Sequence, residues 1–152
     1  MKQYAKARGF TLIEILVVIG IIAILAAVVV IAINPARQFA QARNSQREAN
    51  LNTILNAIGQ NSVDNKGTFV CAGMGTDPSA TVKNIGTAAG LVNLGCLVPT
   101  YIPSALPADP TGGAAADTKY TIAVEASGRF VVCAPNSSEA ALGSTTALCV
   151  TR

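Results

Sequence analysis

Residues 15–33 read ILVVIGIIAILAAVVVIAI, an apolar run broken only by Gly20. As an α-helix rising 1.5 Å per residue, the run is roughly 28 Å long, about the thickness of a bilayer's hydrocarbon core. Lys2, Lys6 and Arg8 precede it, and no acid appears before Glu14. The positive-inside rule therefore predicts a single-pass helix in the inner or cytoplasmic membrane. Its N-terminus stays in the cytoplasm and everything after Ile33 is exported. A buried soluble helix would need a surrounding core that the remaining residues can hardly supply.

Composition narrows the function classes. The chain has 152 residues, 51% of them hydrophobic and 12% charged, which is too apolar for a disordered chain. That length suits one ordinary domain, or a small domain with an added segment. It holds no His and no Trp, which excludes a His-based triad and a Cys/His zinc finger. No nucleophile–base pair or paired-carboxylate constellation is visible, so the sequence does not read as an enzyme, and no cofactor is expected. Removing residues 1–9 takes three of the 11 basic residues and leaves eight bases against eight acids. The pI near 8.8 thus reflects the leader, and a nucleic-acid partner is unsupported.

Two processing points compete. Ala40-Gln41-Ala42 has the small-residue form of a secretory cleavage site, which would release a soluble protein starting at Arg43. Against it, the apolar stretch is too long for such a signal, and a helix-compatible pattern runs straight through the site. The other point lies before the run, in Arg8-Gly9-Phe10-Thr11-Leu12-Ile13-Glu14. Gly9 lacks a Cβ, so its backbone is easily presented to a protease at the membrane surface. Glu14 then demands an explanation, because a carboxylate within a membrane costs on the order of 2–3 kcal/mol or more. One reading places it at the interface, reaching water and favoured by the helix dipole. The other pairs it with the α-amine that cleavage would create on Phe10, one helical turn away, within a chain or between neighbouring chains. A buried ionic pair is better attested as a device for fixing register than as a source of stability.

The segment Lys6-Ala7-Arg8-Gly9-Phe10-Thr11-Leu12-Ile13-Glu14, followed by Ile15-Leu16-Val17-Val18-Ile19, resembles the class III signal of type IV pilins and pseudopilins. The likeness is dense over residues 6 to about 30. It implies cleavage between Gly9 and Phe10 by a membrane aspartyl prepilin peptidase, N-methylation of Phe10, and a role for Glu14 in subunit docking. Its implied partners are that peptidase, other copies of the chain and related pilins, an inner-membrane assembly platform, and lipid before assembly. The implied location is the inner membrane, then an extracellular or periplasmic filament. The family includes pilus subunits, secretion pseudopilins and minor, membrane-tethered pilins that bind DNA or an exported substrate. One departure stands out: many members carry a helix-kinking proline inside the apolar stretch, whereas Pro35 comes just after it.

Downstream, Leu51, Ile54, Leu55 and Ile58 follow the i, i+3, i+4, i+7 spacing of an amphipathic helix. The pattern predicts one long helix from about Phe10 to Gln60, kinked or interrupted near Asn34-Pro35. Arg43 and Arg47 are one turn apart, but Arg37 lies about 240° from Arg43 around the helix. The three arginines are read as a solvated face, with pairing to acids of neighbouring subunits as the alternative. Residues 61–118 read as a long loop with short ordered pieces, including a short helix within 84–97. Residues 119–125 and 129–133 are β-branched runs around Ala126-Ser127-Gly128, a hairpin signal, and 147–151 offers a third strand. The fold class is therefore α+β: a long N-terminal helix packed on a small antiparallel head. This too is similar to the pilin architecture, and Leu106-Pro107-Ala108-Asp109-Pro110-Thr111-Gly112 before the hairpin is similar to its pseudopilin version. The expected division is a leader over 1–9, a membrane and assembly helix over 10–33, its amphipathic continuation over 34–60, and a head over 61–152.

Four cysteines, Cys71, Cys96, Cys133 and Cys149, suit an exported, oxidising setting and permit three pairings. Cys71–Cys96 and Cys133–Cys149 are favoured because both close moderate loops in a head short of apolar core. Free buried thiols are the alternative. The resemblance also draws attention to Asp109 and Asp117, since some pseudopilins bind calcium in this region. Two carboxylates in a loop do not make a ligand set, and no metal is assigned.

Overall fold

The apolar run folds as helix α1, Leu12–Ile33, in a computed structural model that describes residues 9–75, 78 and 81–152. The leader residues Lys2, Lys6 and Arg8 lie outside the described residues. At 22 residues, α1 is roughly 33 Å long. None of its residues is buried by its own chain. A helix that is apolar on every face and uncovered needs an apolar solvent or like helices around it.

The helix ends for a local reason. Asn34 adopts the left-handed conformation (φ 43°, ψ 82°), which asparagine tolerates better than most residues. Its carbonyl accepts from the Arg37 and Gln38 N–H groups at 3.1 and 3.4 Å, and its Oδ1 accepts from Arg37 N–H at 3.3 Å. Pro35 then occupies the first position of α2, Pro35–Asp64, where its missing N–H costs nothing. Of the two outcomes expected near Asn34-Pro35, a kink or an interruption, the structure has the interruption: the helical stretch is two helices, and the proline opens the second. At its far end α2 runs past Gln60 to Asp64. Lys66 turns left-handed (φ 59°), while Gly67 N–H reaches Ser62 O at 2.8 Å and Lys66 N–H reaches Val63 O at 3.4 Å. Both bonds satisfy carbonyls that a helix end leaves open.

The chain divides into two compact units, one ending at Gln38 and the other running Phe39–Arg152. The second carries a four-stranded antiparallel sheet in the order β1 (Lys83–Asn84), β2 (Thr121–Val124), β3 (Phe130–Ala134), β4 (Leu148–Thr151). The expected hairpin is β2–β3, in register from Thr121 opposite Cys133 to Val124 opposite Phe130. Its turn closes with Gly128 N–H on Glu125 O at 2.8 Å, Gly128 standing at φ 82° where a side chain would be strained. The third expected strand is β4. Within 84–97 the structure has strand β1 at one end and a single 3-10 turn, Gly95–Leu97, at the other.

The core follows the two periodicities. From α2 come Leu51, Ile54, Leu55, Ala57 and Ile58. From the sheet come Ile122, Val132 and Ala134, with Tyr120 just before β2. Ile85, Val92, Leu94, Leu97 and Ile102 close the core from the connecting segment.

Candidate processing and assembly site

Gly9 and Phe10 lie outside helical structure, and Phe10 is 84% exposed. A Cβ built on Gly9 meets nothing within 4 Å. The first cap of α1 is Thr11, extended at φ −81°, ψ 152°. Glu14 N–H donates to Thr11 Oγ1 at 3.3 Å, and the Glu14 carboxylate accepts from Thr11 N–H at 2.7 Å and Thr11 O–H at 2.8 Å. This is a capping box. The Thr-x-x-Glu spacing that signals it is written in residues 11–14, so the sequence carried the sign that Glu14 has a local partner. Because α1 begins at Leu12, Phe10 precedes the cap. The full turn expected between Phe10 and Glu14 is therefore not formed here, and the carboxylate is held by Thr11.

The Arg face expected to be solvated proves otherwise at Arg47, which is fully buried. Its Nε donates to Asp109 Oδ2 at 2.7 Å and its second terminal nitrogen to Asp109 Oδ1 at 3.2 Å. The other nitrogen donates to Glu139 Oε1 at 2.5 Å and to Asn44 Oδ1 at 2.7 Å, and Thr111 Oγ1 accepts as well. Arg43 completes the group, pairing with Glu139 through Nε at 2.9 Å and through a terminal nitrogen. Two cations thus face two anions. Burial pushes Asp109 up, but hydrogen bonds from Arg47 and Thr111 outweigh it and hold the carboxyl below its ordinary range. Hydrogen bonding from Arg43, assisted by Arg47 and opposed by burial, takes Glu139 down to about 2.

A second polar position lies one turn further along α2. Asn50 donates to Ala108 O at 3.1 Å and to the Tyr120 hydroxyl at 2.8 Å. The first half of α2 therefore anchors the loop Ala108–Thr111 and the Glu139 segment through polar groups, before the apolar stripe takes over. Asp109 and Asp117 are not a ligand pair. Asp109 gives both oxygens to Arg47, while Asp117 binds Lys119 Nζ at 2.7 Å.

Cys71 is joined to Cys96 and Cys133 to Cys149, with Cα–Cα separations of 5.4 and 4.1 Å. The first closes the loop that follows α2. The second crosses β3 and β4 where the two cysteines stand directly opposite.

Residues 4–30 match the family model described as the prokaryotic N-terminal methylation motif, the class III signal motif of type IV pilins. No curated protein and no solved structure matches the chain. The chain thus carries the N-terminal motif of type IV pilin-like precursors ahead of an α+β architecture.

Proposed function

We propose that this chain is the precursor of a subunit of a type IV pilus-like filament. Prepilin peptidase cuts between Gly9 and Phe10, Phe10 is N-methylated, and the mature chain waits in the inner membrane with its head outside. Polymerisation then draws α1 from lipid into a bundle of like helices. The process is mechanical and has no catalytic step. Gly20, Ala23, Ala26 and Ala27 allow close backbone approach in that bundle.

The observation that carries this reading is α1 itself, unburied on every face, with Glu14 as its one carboxylate at the start. The new Phe10 amine competes with Thr11 for that carboxylate and sets the axial register of neighbouring subunits. Replacing Glu14 by Ala tests the point. Membrane insertion and leader removal are expected to continue while filaments disappear; normal filaments from the variant would refute the role of Glu14. A type II secretion pseudopilus is the second reading, favoured by the Leu106–Gly112 sequence. It predicts that deleting the chain stops secretion of folded exoproteins rather than surface pilus formation.

A further inference from the structure

The two edges of the sheet are unlike. Strand β4 hydrogen-bonds to β3 alone. Arg152 and Phe130 exchange both backbone bonds, at 2.9 and 2.8 Å. The alternation of an antiparallel ladder therefore turns the N–H and C=O of Cys149 and Thr151 away from β3. Those groups have no partner among the described residues. β4 holds no charge and no proline, so it lacks the guards that usually keep a free edge from pairing. At the other edge, Asn84 O accepts from Val92 N–H at 2.9 Å. Val82, just before β1, presents its N–H and C=O outward by the same alternation, and it is 67% exposed.

Three antiparallel pairings in succession make β1 and β4 run in opposite directions. β1 of a second copy, set beside β4 without turning that copy over, therefore continues the alternation. Subunits that share one membrane and feed one fibre point the same way, so the arrangement suits the filament reading above, on which it rests. Pairing β4 with β4 would need one copy reversed. We infer that β4 of one copy receives Val82–Lys83 of the next, with Val82 opposite Cys149 and Lys83 opposite Leu148. Lys83 stands opposite the buried Ile122, and Leu148 opposite the buried Ala134, so both side chains are on the core face. There Glu48 of α2 borders a groove with Leu148 and Cys149, and it is the one charged side chain of that groove. Lys83 thus arrives at a carboxylate, while Val82 falls on the outer face against the exposed Cys149. Position in the sheet, not exposure alone, selects this pair. The contact is head-to-tail, so it propagates instead of closing a dimer.

Amide hydrogen exchange, resolved to single residues by fragmentation, tests it on sheared filaments and on the same full-length chain in detergent. The Cys149 and Val82 amides are expected to exchange at least about tenfold more slowly in filaments, because each gains an acceptor. Unchanged exchange at either position, in filaments that contain the chain, overturns the contact and leaves the filament reading standing. Absence of the chain from filaments overturns that reading, and the contact falls with it. Charge exchange supplies a second readout. Glu48→Lys and Lys83→Glu are each expected to cut filament yield by about tenfold, and the double variant to recover most of it. Retention of both disulfides in each variant checks that the head still folds. A double variant no better than the worse single overturns the contact.

Discussion

Arg47 shows most clearly what one residue does in this head. It lies in a run of polar residues on α2 and, from spacing alone, belongs to a solvated face. Its pairing with Asp109, 62 positions away, and Glu139, 92 away, depends on how two loops return to the helix. No local pattern announces such a return. Removing one partner of a buried ion pair leaves the others uncompensated, so Arg47→Ala is expected to destabilise the protein by about 3–5 kcal/mol. Replacing Arg47 and Asp109 together by Met and Leu is expected to cost less, and chemical denaturation of the full chain in detergent compares the two. Glu139 gives the same network a pH signature. Its folded pKa, about 2, is depressed from 4.5, so its stabilising contribution is complete above about pH 4.5 and is lost as pH falls toward 2. Glu139→Gln is expected to be less stable at neutral pH and to show a flatter acid denaturation curve over that window.

At the scale of elements, the features legible in the sequence are those with a short repeat. The Leu51/Ile54/Leu55/Ile58 stripe, the β2–β3 hairpin and β4 all follow from spacing and turn residues. The break at Asn34 was legible only as a place, because whether Pro35 kinks or starts a helix is decided by the backbone of the residue before it. Strand β1 has two residues, too few for any alternation to show. The loop before the hairpin is set by close backbone approach: a Cβ on Gly113 would collide with the backbone of Asp109 and Thr118. The cross-strand bond Cys133–Cys149 ties β4 to the sheet opposite its own partner. In a chain-entropy account a loop of this size is worth about 3 kcal/mol. Cys133→Ser with Cys149→Ser is expected to lower stability by about that amount and to raise amide exchange in β4 first, which hydrogen-exchange mass spectrometry measures.

Across the whole molecule, two units answer to two solvents. The head buries an apolar core and pairs Arg43 and Arg47 with Asp109 and Glu139, while α1 buries nothing within its own chain. The sequence made this division plain, because a run from 15 to 33 of such uniform apolarity has few other uses. What lay beyond it was the ledger of charges, since which arginines are occupied and which remain free is a property of tertiary contacts. That ledger separates the buried clamp at Arg47 from Arg37, which is exposed.

The central claim is that α1 is retained after the basic leader is removed and becomes part of a fibre. Intact-mass and N-terminal analysis of filaments sheared from the cell surface measures it most directly. This chain is expected as a filament component, beginning with N-methylated Phe10. Filaments carrying the chain with Met1 still attached, or a soluble product in the medium beginning at Arg43, would contradict it.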